Sequence, residues 1–150
     1  MSSRSGALSS AATTIRILIP AGKATPTPPL GPALGQRGVK AMDFCKQFND
    51  RTKNVLPEAP IPTLINVRSD RSFSFVIKNP PTTWFLKRAA GVEKGASKPG
   101  SEIVGKVTLK HVYEIAKVKK QQTNMQHLSL RGVVKCVVAT AKSAGIEVVN

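Results

Sequence analysis

Aromatic and acidic residues are scarce in this chain. One Trp, one Tyr and five Phe make up 5% of 150 residues, and only eight Asp and Glu stand against 23 Lys and Arg. Few rings weigh against binding single strands by base stacking. Few carboxylates leave little material for a paired acid and base. The two histidines, His111 and His127, fall near predicted helix starts with no acid or nucleophile at catalytic spacing, and read as surface or capping residues. The two cysteines, Cys45 and Cys136, lie far apart without CxxC or Cys/His spacing. They are expected to be small buried hydrophobes in a reducing compartment, not a disulfide or a zinc site. No apolar run approaches the ~20 residues that span a bilayer. AGKA and VGKVT lack the upstream glycine of a phosphate loop, and neither a dinucleotide fingerprint nor HExxH occurs. The chain is therefore expected not to be an enzyme and to need no cofactor and no metal.

What is present is positive charge and proline. The formal net charge is +15. Such an excess calls for a polyanionic partner, nucleic acid first and an anionic membrane surface second. The basic residues are spread evenly: 11 against 4 acids before Pro80, and 12 against 4 from Pro80 onward. The stretch Ile19 to Lys40, IPAGKATPTPPLGPALGQRGVK, holds five prolines and four glycines between a strand-like and a helix-like run. Successive prolines keep such a backbone extended and stiff. Two readings stand: a shaped surface offered to a partner, or a rigid connector.

Period and punctuation predict two small domains. Residues 1–14, MSSRSGALSSAATT, read as a leader of organelle-targeting composition or as a disordered tail. Ile15, Ile17 and Ile19 alternate as a short strand. After the Pro-rich loop, with a helical turn at Gly31 to Gln36 opened by Pro32, a helix runs from Val39 to about Arg51 on a stripe of Val39, Met42, Cys45 (or Phe44) and Phe48. A hairpin follows: Ile61, Thr63, Ile65 and Val67, a turn at Ser69 to Arg71, then Phe73, Phe75 and Ile77. Its aromatics are expected to pack on the helix, since no Gly-aromatic RNA-binding signature surrounds them. Asn79-Pro80-Pro81 marks the boundary, with Pro80 and Pro81 as hinge.

Beyond it, Thr82 or Thr83 is expected to cap a helix ended by Gly91, and Val92 to Lys106 forms a Gly/Ser/Lys loop. Thr108 caps a helix over Leu109 to Lys119 that buries Leu109, Val112, Ile115 and Ala116 and exposes Lys110, Lys117, Lys119 and Lys120. A polar connector leads to a last helix from His127 to Ser143, closed by Gly145, and Ile146 to Val149 is a short extended tail. The fold class is thus α+β. The N-terminal part, residues 15–79, is a small three-stranded sheet with a helix and Pro-rich loop. The C-terminal part, residues 82–150, is a compact three-helix domain. Lysines on the loop and helix start suit a phosphate backbone, and the small residues Ala139 to Gly145 either admit a close RNA approach or pack helices. The paucity of rings favours a folded RNA read by shape.

IPAGKATPTPPLGPALGQRGVKAMDFCKQFNDRT, DRSFSFVIKNPP, FLKRAAGVEKG, VGKVTL and ATAKSAGIEVV together resemble the bacterial-type large-subunit ribosomal protein eleven family, over nearly the whole chain. The resemblance implies a non-catalytic constituent of the large ribosomal subunit at the stalk base, in the GTPase-associated centre. Its second domain would bind a folded rRNA segment and its mobile first domain would face stalk ribosomal proteins and translational GTPases (elongation factors). It assigns RNA-binding roles to Gly91, Lys94, Gly95, Ser97, Lys98, Gly105, Lys106, Thr108 and Lys110, and to Thr140, Lys142, Ser143 and Gly145. Pro26 and Pro29 match the prolines of the family's factor and antibiotic cleft. The connector VKKQQTNMQHLSLRG and Pro99-Gly100-Ser101 depart from the family pattern. The Ser/Ala-rich leader and the extra charge imply a mitochondrial ribosome in the matrix, the alternative being a bacterial cytoplasm. The competing function is a non-specific basic protein that compacts nucleic acid.

Overall fold

The computed structural model describes residues 13–150. The leader expected over residues 1–14 lies outside them except for Thr13 and Thr14, which open the first strand instead. The described residues form two compact units, residues 13–78 and 79–150.

The first unit contains β1 (Thr13–Pro20), α1 (Leu30–Gly35), α2 (Ala41–Thr52), β2 (Pro60–Val67) and β3 (Phe73–Ile77). The strands form one antiparallel sheet in the order β1-β2-β3, with Ile15 opposite Ile65 and Ile65 opposite Phe75. The period of two puts Ile15, Ile19, Ile61, Ile65, Val67 and Phe75 on the buried face. Against it α2 sets Phe44, whose ring meets Phe75 edge-on at 5.2 Å between centroids, and Phe48. Each such ring contributes roughly 1.5–3 kcal/mol by burial. The stripe on α2 is Phe44, Cys45, Phe48 and Thr52, not one through Met42, which is 57% exposed. Leu30, not Gly31, opens α1, and Pro32 occupies its third position.

Proline stiffness is supplemented by hydrogen bonds that pin the Pro-rich segment to α2. The Ala24 amide donates to Asn49 Oδ1 at 2.9 Å, Asn49 Nδ2 returns a bond to the Ala24 carbonyl, and the Gly22 amide donates to Thr52 Oγ1 at 3.1 Å. Gly31 permits the tightest approach: a Cβ there would stand 2.3 Å from the Pro26 carbonyl oxygen.

The second unit contains α3 (Thr82–Ala90), β4 (Gly105–Thr108), α4 (Leu109–Lys120), α5 (Leu130–Ser143) and β5 (Ile146–Val149). The expected extended tail is a strand, paired in parallel with β4 from Gly105 opposite Ile146 to Thr108 opposite Val149. Its core is Leu86, Val107, Val112, Ile115, Ala116, Val133, Val137, Ala141 and Ile146. Pro81, not a threonine, precedes α3, and no side chain caps that end. Ser129 accepts from the Gly132 amide at 3.1 Å and so starts α5 at Leu130, leaving His127 in the preceding turn. Gly91 ends α3 at φ +68°, as its position suggested.

Three expectations about burial fail. Leu109 is 46% exposed; the buried residue at that end of α4 is Val107. Lys119 is buried because it falls on the stripe of Val112, Ile115 and Ala116. Its long stem lies inward and Nζ donates to the Pro80 carbonyl at 2.5 Å, 5.8 Å from the Phe85 ring centroid. Cys136 is exposed, because α5 turns Val133, Val137 and Ala141 inward and Cys136 away from them.

Candidate nucleic-acid interface

The loop after α3 is folded back on the end of α5. The Ala96 amide donates to the Ala144 carbonyl at 3.0 Å, and the Val104 amide to the Gly145 carbonyl at 2.9 Å. Within the loop, the Ser97 amide donates to Glu102 Oε2 at 3.2 Å, so the acid braces the loop from inside. A Cβ at Gly95 would press on the Ala144 carbonyl at 3.2 Å, and one at Gly145 would stand 2.3 Å from Ala96 Cβ and 2.8 Å from the Glu102 carbonyl. Gly145 is also in the left-handed region, at φ +72°.

This arrangement brings Lys94, Gly95, Ser97 and Lys98 beside Lys142 and Ser143, and all six are exposed. Gly145, assigned by resemblance to the RNA-facing set, is buried. It acts by letting the loop seat on the helix, because the atoms that a Cβ there would meet first belong to Ala96 and Glu102 of the loop. Gly105 has a similar part, with Ala90 Cβ and Val92 Cγ1 at 3.0 and 3.2 Å from a Cβ placed there. Gly91, exposed with open space around it, closes α3. Lys106 is exposed but paired with Glu147 at 3.1 Å. Thr108 and Lys110 stand at the other end of β4, about 10 Å along the strand from Gly105. Thr108 Oγ1 is occupied there, 2.8 Å from His111 Nδ1.

The carboxyl end of a helix carries partial negative charge and repels phosphate when its carbonyls are bare. In α5 the end carbonyls of Thr140, Ala141 and Lys142 have donors. Ser143 Oγ donates to the Thr140 carbonyl at 2.8 Å, the Ala144 amide is shared by Thr140 and Ala141, and the Gly145 amide donates to Lys142. What remains exposed in the last turn is the Lys142 ammonium and the small side chain of Ser143, and α5 itself carries no acid. Cys136 and Ala139 extend that small-residue face by one turn, a feature the sequence did not single out for Cys136 because its neighbours are nearly all apolar.

On the first unit, Pro29 lines a hollow of about 140 Å³ with Thr25, Thr27 and Pro28, while Pro26 is exposed outside that lining. Among the described residues no three His, Cys, Asp or Glu side chains are grouped to hold a metal. No helix among them is long and apolar enough to cross a membrane.

Residues 15–73 match the family model "Ribosomal protein L11, N-terminal domain", and residues 78–148 match "Ribosomal protein L11, RNA binding domain". The chain belongs to the ribosomal protein L11 family. It is similar to the "Large ribosomal subunit protein uL11m" of Schizosaccharomyces pombe, 50% identical over 137 residues that cover 91% of this chain and 95% of the relative. It is also similar to the "Large ribosomal subunit protein uL11" of a Hydrogenobaculum species, 46% identical over 135 residues, 90% and 92% of the two chains. As an L11 protein the chain is a structural, non-catalytic constituent of the large ribosomal subunit with an rRNA-binding domain. The compaction reading finds no support in these matches.

Proposed function

We propose that the second unit clamps a folded segment of large-subunit rRNA between the loop 91–104 and the exposed face of α5. The observation that carries this is the pair of bonds from Ala96 to Ala144 and from Val104 to Gly145, which gather Lys94, Ser97, Lys98, Lys142 and Ser143 at one edge. A preformed edge of this kind reads shape and backbone, as folded RNA requires. The first unit, with its pinned Pro-rich segment and Pro26 and Pro29 exposed, is offered to stalk proteins and translational GTPases. The flexible link we put between Lys78 and Asn79. The Lys78 amide is held by the Pro62 carbonyl at 3.0 Å. On the other side, Asn79 Nδ2 donates to the Val118 carbonyl and Lys119 Nζ to that of Pro80, so Pro80 belongs with the second unit. The mitochondrial ribosome is the setting favoured by the likeness to the S. pombe protein.

Ser143→Trp in the full-length chain tests the clamp. Ser143 is exposed and its hydroxyl bonds only within its own helix. Binding to the folded rRNA segment should fall at least tenfold with an unchanged melting temperature. Undiminished binding would remove the end of α5 from the interface.

A further inference from the structure

The first unit carries a second basic site, remote in sequence from the RNA-binding domain. A hollow of about 510 Å³ is lined by Arg37, Arg68 and Arg71 together with Gln36, Ser69 and Thr13. Two glycines, Gly35 and Gly38, and one apolar residue, Val67, complete it. The turn after α1 delivers Arg37, and the β2–β3 hairpin tip delivers the other two arginines.

The three guanidiniums are exposed, and among the described residues none takes part in an ion pair. The nearby acid, Asp70, accepts from the Ser72 amide at 2.9 Å and from the Ser72 hydroxyl, and its charge acts on Arg68 without a direct ion pair, so three cations face one anion. Arg71 is held in place at some cost. Its backbone sits at φ +63°, and its stem lies on Gly38, where a Cβ would come within 3.2 Å of Arg71 Cδ. Gly38, at φ +73°, leaves room for the Arg71 stem, and both residues line the hollow.

We propose that this hollow binds the phosphodiester backbone of RNA, giving the chain a second RNA contact independent of the loop 91–104. Guanidinium forks match phosphate oxygens in pairs, and Gln36, Ser69 and Thr13 add neutral donors. A protein partner would need an apolar anchor at the centre of its contact, and Val67 alone does not make one. This inference does not rest on the assignment of the clamp residues, so the two fail separately.

The test compares the full-length chain with Arg37→Gln/Arg68→Gln/Arg71→Asn, where Asn tolerates the left-handed backbone of position 71. The control, Arg16→Gln/Lys40→Gln/Lys46→Gln, removes three exposed charges elsewhere on the same unit. The probe is a large-subunit rRNA transcript, titrated over a range of salt. Each lost phosphate contact lowers the slope of log K against log salt by about 0.7–0.9, so the arginine variant should lose roughly 2 and the control little. Equal slopes in all three proteins, or equal losses in both variants, would overturn the proposal. Amide resonances of the full-length protein give a second reading that needs no variant. A single-stranded uridine oligomer should shift Gln36 to Gly38 and Arg68 to Ser72, while polyglutamate of equal charge should not. Equal shifts with polyglutamate would assign the hollow to a carboxylate-bearing protein and overturn the RNA reading.

Discussion

Replacing Gly145 by Ala should unseat the loop 91–104 and so destabilise the second unit well beyond an ordinary glycine substitution. Two costs combine. A residue with a Cβ at φ +72° pays about 1–2 kcal/mol for the left-handed backbone. The added methyl also meets Ala96 Cβ at 2.3 Å and the Glu102 carbonyl at 2.8 Å, an overpacking of roughly 1–3 kcal/mol. About 3 kcal/mol in a domain of this size lowers the melting temperature by roughly 12–24 °C. Gly91→Ala provides the internal standard: φ is +68° there, but nothing lies within 4 Å of the new Cβ. That variant should lose only the backbone cost, about 1–2 kcal/mol and roughly 4–16 °C. Thermal and urea unfolding of both full-length variants, followed by far-ultraviolet circular dichroism, measure the difference. Gly145→Ala/Ala96→Gly removes the methyl-methyl clash alone, so its loss should fall about 1 kcal/mol short of the sum of the single losses. If Gly145→Ala lost no more than Gly91→Ala, the seating of the loop on α5 would be refuted.

The other expectations concern single side chains. Burial lowers the pKa of Lys119 below its ordinary 10.5. At lower pH both folded and unfolded chains hold that proton, and the penalty for burying the charge is fully present. As pH climbs from the lowered value toward 10.5 the unfolded chain binds more protons, so this residue's contribution to stability rises. Urea midpoints measured against pH should therefore rise more for the natural chain than for Lys119→Met; parallel curves would count against a buried ammonium. A thiol reagent should modify Cys136 readily and Cys45 slowly, because burial raises the Cys45 thiol's pKa as well as covering it. Bound rRNA should protect Cys136, which shares the exposed face of α5 with Thr140 and Ser143. Phe44→Ala removes a fully buried ring packed on Phe48, Phe73 and Phe75, and should cost the first unit about 3–5 kcal/mol in chemical denaturation.

What could be read from the residues was what local period controls. Ile61, Ile65, Val67 and Phe75 announce their buried face by alternation, and the hairpin turn at Ser69 to Arg71 lies between them. Thr108 was legible as a cap because an acceptor side chain stands immediately before an apolar-periodic run. The pairing of β4 with β5 was not, since it joins two four-residue strands some forty positions apart and each is too short to show a period. Lys119 and Cys136 were misplaced for opposite reasons. In α4 the period was clear, and the polarity of lysine argued wrongly against it. In α5, VVKCVVATA is apolar on several faces, so its phase was open until Val133, Val137 and Ala141 were seen to be the buried set. The part played by Gly145 depends on a loop folding back from some forty residues upstream, and no local pattern encodes that. The arginine hollow has the same origin: Arg37, after α1, and Arg71, at the hairpin tip, meet only in the folded unit.

The central claim is that a preformed edge on the second unit recognises folded rRNA by shape. Its most direct test is the affinity of the full-length chain for a folded segment of large-subunit rRNA. The comparison is an RNA of the same composition with its pairing scrambled, each titrated across a range of salt. The account predicts a preference for the folded segment that persists at ~0.15 M salt and is lost in Ser143→Trp. Equal affinities that vanish together as salt rises would mean that charge alone holds the RNA, and would contradict it.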